Sequence, residues 1–251
     1  MTTSPLRSAW IFLLALAVLA GCGPKRPPLT SLAPDELFRQ ASAAFEARRY
    51  GRAAEMLNVF VQQHAGDPRV PEAWLMLARS HMARREYVPA VSEFQRLITD
   101  YPSSPYGREA RFGICEAYYR LSPHSQLDQE NTYSAILHCR SIAEYYPGTP
   151  EAQRATAWAT ELQNKLARKA YDNGIFYFRR RAYDAAIVYF TEVVQNYPET
   201  RYAPSALAQL VETYTRLGYR EEATEARDRL RRDYPQSPEA RALADGPAPA
   251  G

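Results

Sequence analysis

Two hydrophobic patterns divide the chain. Residues 9–20, AWIFLLALAVLA, are apolar without a break, whereas from Pro34 onward small and aromatic positions recur in paired segments. The first pattern runs for about 12 residues, short of the roughly 20 a helix needs to cross a bilayer. It follows Arg7, and no acidic residue stands between Met1 and Gly21. A basic start and a short apolar core predict a cleaved leader over 1–21, not a membrane span. The second pattern predicts helices. In ARRYGRAAEML, ARREYVPAVSEF, DQENTYSAILHC, RRRAYDAAIVYF and RLGYREEATEA, a tyrosine precedes alanine closely; Tyr50, Tyr87, Tyr133, Tyr183 and Tyr219 lie 37, 46, 50 and 36 residues apart. Four of the segments close on Tyr-Pro, in DYPSSP, YYPGTP, NYPETRYAP and DYPQSP.

A period near 34 with a closing proline is the signature of tetratricopeptide (TPR) repeats, two helices each. With the proline of each Tyr-Pro at repeat position 32, Ala78, Ala90 and Phe94 fall at 8, 20 and 24, as do Gly174, Ala186 and Phe190 two repeats later. Small residues at 8 and 20 let the two helices of a repeat cross closely, a large one at 24 fills the space beside the crossing, and proline ends the second helix because it lacks an N–H. The expected fold is all-α: a TPR superhelix, an α-solenoid of about five repeats over 34–68, 71–102, 105–147, 150–198 and 201–235. In the third repeat SPHSQLDQENT interrupts, with Asp128 a candidate N-cap for the helix that follows. The fourth opens on a long helix from about Pro150 to Arg180, with no breaker before Gly174. Residues 236–251 are read as a disordered tail.

Leu19-Ala20-Gly21-Cys22 resembles the lipobox of bacterial lipoproteins, in which the cysteine is acylated and the chain cut just before it. Cys22 is therefore the candidate lipidation site, followed by a Pro-rich tether over 22–33, GPKRPPLTSLA from Gly23. Gly23 is not the Asp that retains such proteins at the inner membrane, so the outer membrane is favoured. The other cysteines, Cys115 and Cys139, fall at positions 11 and 24 of the third repeat; the reading leaves open two small buried side chains or a disulfide.

Composition removes several function classes. The chain has 251 residues and a net charge of +3, too balanced for a nucleic-acid partner. The four histidines show no HxxxH or HExxH spacing and there is no CxxC, so no metal is expected. No GxSxG, P-loop or GxGxxG occurs; neither catalytic residues nor a cofactor are expected. Helical repeats of this kind hold extended peptides in the groove lined by their first helices. Positions 2, 5, 9 and 12 of those helices predict a peptide groove containing Phe38, Phe45, Leu75, Arg79 and Met82, with Tyr106 from the third repeat. The fourth repeat offers an aromatic and basic surface for a second partner, formed by Arg168, Tyr171, Phe178 and Arg179, with Arg180 and Arg181 in solvent at the turn.

Two stretches, DQENTYSAILHCRSIAEYYPGTPEAQRA and LARKAYDNGIFYFRRRAYDAAIVYFTEVVQNYPETRYAPSAL, together with the lipobox, resemble the BamD/ComL family of outer membrane assembly lipoproteins. The resemblance covers about residues 33–235 and Cys22. It implies a non-enzymatic subunit of the β-barrel assembly (BAM) machinery, held at the periplasmic leaflet of the outer membrane by acylated Cys22. Its implied partners are unfolded outer membrane proteins near the first repeats, a periplasmic POTRA domain of BamA on the later ones, and other BAM subunits. Arg79 in an apolar cleft suits the terminal carboxylate of a barrel protein ending in an aromatic residue. The competing reading is a TPR lipoprotein scaffold for peptidoglycan remodelling or cell division. Soluble relatives of that kind carry an N-terminal coiled coil, and no heptad run precedes Pro34.

Overall fold

The computed structural model describes residues 28–245. The leader over 1–21, Cys22, the tether as far as residue 27 and the tail from 246 lie outside the described residues. Within them the chain forms eleven α-helices and one 3-10 turn, Leu29–Ser31. In order the helices are α1 (Pro34–Glu46), α2 (Tyr50–Gln63), α3 (Val70–Ala83), α4 (Tyr87–Asp100), α5 (Gly107–Leu121), α6 (Glu130–Tyr145), α7 (Pro150–Arg179), α8 (Tyr183–Asn196), α9 (Tyr202–Leu217), α10 (Arg220–Asp233) and α11 (Pro238–Asp245). Each helix packs on its neighbours in sequence, and α1, α3, α5, α7, α9 and α11 also touch one another in succession. That is a solenoid of helical hairpins, the TPR arrangement, with the odd-numbered helices as first members.

The helix ends follow from the recurring residues. Tyr101, Tyr146, Tyr197 and Tyr234 are the last capping residues of α4, α6, α8 and α10, each donating its N–H four residues back. The proline after each has no N–H to continue the ladder. Prolines recur at the other end of the loop, in the first turn of α1, α3 and α7, where the missing donor costs nothing. Within the hairpins Ala41 and Ala53 are wholly buried, as are Ala78 and Ala90.

Three apolar cores run along the array. The first spans α1 to α5, and the second spans α7 to α11. A small one between them holds Phe112, Cys115, Cys139, Ile142, Ala152, Ala155 and Ala159. Helix α7, 30 residues or about 45 Å long, carries its first turns into the small core and Leu166, Ala167 and Ala170 into the second. Cys115 and Cys139 form a disulfide between α5 and α6, with Cα atoms 4.9 Å apart. Of the two alternatives left open by spacing, the pair is bonded as well as buried.

Several expectations are corrected. Residues 28–33 are not extended tether: Leu29 and Leu32 pack on the first core. Residues 236–245 are not unstructured, since Pro238–Asp245 is helix α11, with Ala240 buried in the second core. Asp128 is not the N-cap of α6; Gln129 is, while the Asp128 carboxylate accepts the Glu130 N–H at 3.0 Å. The interrupting loop, 122–129, folds around the buried Gln129 side chain, whose amide donates to the carbonyls of His124 (2.9 Å) and Leu127 (2.8 Å) and accepts from the Thr132 hydroxyl (2.8 Å).

Candidate functional site

A cleft of about 880 Å³ runs across α3, α5 and the start of α7. A stack of rings packs beneath it, and of these Phe112 lines the cleft while belonging to the small core. Phe112 lies 5.4 Å from Trp158 at an interplanar angle of 18°, and Trp158 lies 4.8 Å from Tyr119 at 14°. The Arg154 guanidinium lies over the Phe112 ring, 4.7 Å from its centroid. Helical spacing explains the arrangement: Arg154 and Trp158 share a face of α7 at i and i+4, and Phe112 and Tyr119 share one of α5 two turns apart. At the end of the stack the Tyr119 hydroxyl donates to Glu161 at 2.9 Å. Burial, reinforced by that hydrogen bond, raises the Tyr119 pKa and keeps the phenol neutral.

The cleft walls are charged. Arg79, Arg85, Arg108, Arg120 and Arg154 line it, against Glu109, Glu116 and Glu151. Arg79 is ion-paired with Glu109 across the first helices of the second and third repeats, and Arg120 with Glu116 at 3.3 Å. Burial lowers the Arg79 pKa without neutralising it. Arg108 and Arg154 carry no carboxylate partner among the described residues. Chemically the cleft offers guanidinium donors without carboxylate partners beside apolar side chains, which suit a segment carrying a carboxylate.

The sequence-derived groove is only partly assembled. Arg79 and Met82 line the cleft. Leu75 does not: it is 3% exposed, inside the first core. Phe38 packs on Phe60 at 5.1 Å beneath the Arg69 guanidinium, and Tyr106 caps α5 while packing on the first core. Phe45 sits edge-on to Tyr50 at 5.5 Å, across the turn joining α1 to α2. Phe178 repeats this against Tyr183 at 5.6 Å, with Arg216 above it. These two rings brace turns and line neither of the two large clefts. The sequence reading missed Arg108, Phe112 and Arg154, which line the cleft. The i, i+4 pairing of Arg154 and Trp158 on an otherwise unassigned stretch of long helix was the available signal.

The proposed second surface is also divided. Tyr171 packs on Phe190 and Tyr202. Arg168, paired with Asp172 at 3.5 Å, lines a cleft of about 770 Å³ between α7 and the 122–129 loop, together with His124, Lys169 and Arg201. Arg179 borders a separate shallow depression beside Phe176. Lys165 ties the loop to α7: its ammonium donates to Ser122 Oγ at 2.5 Å, Pro123 O at 2.8 Å and Thr132 Oγ1 at 3.2 Å. Its burial among neutral acceptors lowers the lysine pKa, opposed by Glu161. Among the described residues no group of acidic, histidine or cysteine side chains could hold a metal ion, and no helix is long and apolar enough to cross a membrane.

Residues 31–240 match a family model described as YfiO, outer membrane lipoprotein. The chain is similar to the outer membrane protein assembly factor BamD of Rickettsia prowazekii, at 29% identity over 88% of each chain. It is similar to BamD of Caulobacter vibrioides at 27% identity, covering 84% of this chain and 70% of that one. Among solved structures, a TPR repeats protein from Bacteroides fragilis is 12% identical with a TM-score of 0.46, over 85% of this chain and 96% of the other.

Proposed function

The chain belongs to the YfiO family of outer membrane lipoproteins, and from that premise we propose that it is a lipid-anchored, non-enzymatic subunit of the β-barrel assembly machinery at the periplasmic face of the outer membrane. In this reading acyl chains on Cys22 hold it to the leaflet. More than one chain is needed, because a single one binds only marginally. The repeats then present the cleft across α3, α5 and α7 to unfolded outer membrane proteins, and the later repeats dock the periplasmic part of the central barrel subunit, BamA.

One observation carries the peptide-binding part: Arg108 and Arg154 line the same cleft as Met82, Tyr87 and Phe112 and have no carboxylate partner among the described residues. Two guanidinium groups without a carboxylate partner, on the wall of one open cleft beside apolar side chains, suit a ligand that brings its own carboxylate. The carboxylate partner suggested by the sequence shifts accordingly. Arg79 is committed to Glu109, so Arg108 and Arg154 take the role.

The experiment is a binding titration with a peptide matching a barrel protein's C-terminus, ending in phenylalanine with a free carboxylate. Arg108→Ala and Arg154→Ala are each expected to weaken it about tenfold, and amidating the carboxylate to remove both effects. Unchanged binding in both variants overturns the assignment. Anchoring is tested separately: Cys22→Ser is expected to move the protein from the membrane to the soluble fraction.

A further inference from the structure

Four of the five hairpins turn in one way. Arg48, Arg85, Arg181 and Gly218 follow the first helix of repeats one, two, four and five with φ of 57°, 63°, 61° and 79°. In each the next residue donates its N–H five residues back: Arg49 to Ala44 at 2.8 Å, Glu86 to His81 at 2.9 Å, Ala182 to Tyr177 at 3.1 Å and Tyr219 to Tyr214 at 2.9 Å. This is the left-handed cap that glycine fills without strain. A side chain with a Cβ is strained there, yet arginine takes the position three times out of four. Residues held in a disfavoured conformation at recurring positions mark something the fold alone does not require.

The charge around these turns is a second and independent observation. Helical hairpins stacked side by side bring all such turns to one edge. Arg48, Arg49, Arg85, Arg179 and Arg181 are exposed there, and none has a carboxylate partner among the described residues. Arg84 is the exception, paired with Glu86 at 2.8 Å. Exposed apolar surface lies among them: Phe176, 48% exposed with the Arg180 guanidinium 3.6 Å over its ring, and Tyr219, 46% exposed. Arginine mixed with exposed aromatic rings is the composition of a protein-docking surface.

We propose that this row of hairpin turns is a docking edge for an acidic protein surface. It goes beyond the peptide cleft and rests on different residues, save that Arg85 borders both. The choice of a protein over a membrane follows from composition: the arginines are interleaved with the exposed rings of Phe176 and Tyr219, and arginine with aromatic side chains is enriched in protein interfaces.

Two triple variants of the full-length lipidated protein in detergent test this: Arg48→Gly, Arg85→Gly, Arg181→Gly, and the same positions changed to Lys. A control variant, Arg39→Gln, Arg140→Gln, Arg232→Gln, removes equal charge elsewhere. The probes are poly-L-glutamate at low salt and vesicles containing phosphatidylglycerol. The glycine variant is expected to melt several degrees higher than wild type, because strain is relieved. It is also expected to bind polyglutamate about tenfold more weakly, with the lysine and control variants within about threefold of wild type. A glycine variant that is no more stable removes the strain argument. Equal loss in the control, or no loss in the glycine variant, overturns the docking edge. Loss of vesicle binding with polyglutamate binding intact overturns the protein partner in favour of a lipid surface.

Discussion

Gly174 lies under the ring of Phe190, so close that a Cβ built on it would sit 2.4 Å from Phe190 Cε1. The pair sets how tightly α7 crosses α8. Gly113 stands in the same relation to Phe94, at 2.4 Å, where α5 meets the preceding repeat. Replacing a mid-helix glycine by alanine ordinarily stabilises by about 1 kcal/mol. Here the methyl has nowhere to go, and overpacking costs about 1–3 kcal/mol. Gly174→Ala is therefore expected to destabilise, read as a lower urea midpoint, and adding Phe190→Leu to restore part of the loss. Gly107, with nothing within 4 Å of its Cβ position, is the control: Gly107→Ala is expected to be neutral or mildly stabilising.

The Cys115–Cys139 disulfide closes a separation of 24 residues in the repeat whose core is smallest. In the fourth repeat the corresponding positions hold Tyr177 and Phe190, which fill the crossing by bulk. The third repeat uses a covalent link instead, and its hairpin closes through the 122–129 loop and not a tight turn. A loop of this length predicts about 3 kcal/mol of stabilisation by the bond. Unfolding in urea with and without reductant measures it. Cys115→Ser with Cys139→Ser is expected to match the reduced protein, and reductant to have no effect on that variant.

The repeats were legible because their signals are local. Tyr-Pro ends a helix through proline's missing donor, and Ala or Gly at a crossing is demanded by distance, so each leaves a mark at fixed spacing. The cleft was less legible. A position on the inner side of a first helix faces solvent only if the neighbouring first helices leave room, and Leu75 is covered while Met82 is not. Phe45 and Phe178 look like exposed aromatic anchors in the sequence. Their partners, Tyr50 and Tyr183, stand five residues on, across a turn that helical periodicity does not bridge. Helix α11 was hidden by composition, since its stability comes from contacts with α9 and α10, not from its own eight residues.

A pH dependence follows from Asp67. Its carboxylate takes the Arg69 guanidinium in a fork, at 2.8 Å from Nε and 2.6 Å from Nη2, and also accepts the Arg69 N–H at 2.9 Å. The Arg69 hydrogen bonds lower its pKa from 3.8 to about 2. A carboxyl whose folded pKa is depressed stabilises fully above its unfolded value and loses that contribution as pH falls through the folded one. Wild type is therefore expected to melt above Asp67→Asn at pH 6. The gap should shrink from about pH 4 downward and close near pH 2. A gap constant across that range would show that the loss in Asp67→Asn is not due to the charge.

The last helix gives the sharpest test of the solenoid. Pro238 begins α11 as prolines occupy the first turn of α1, α3 and α7, so α11 stands where the first helix of a sixth hairpin would. It covers the end of the array. Ala240 is 5% exposed, and the Glu239 carboxylate accepts from the Ser205 hydroxyl on α9. Tyr234, just before it, donates its hydroxyl to Pro198 O at 2.7 Å, tying the fifth repeat's closing turn to the fourth's. In a one-dimensional array stability passes between neighbours, and an uncovered terminal repeat frays first. Ending the chain after Gln236 keeps the tyrosine tie but removes the cover. Hydrogen exchange is expected to speed up in α9 and α10 by at least tenfold, while α1 to α4 remain at the wild-type rate. Uniform acceleration along the whole chain would mean instead that the repeats unfold as one unit and that α11 stabilises all of them.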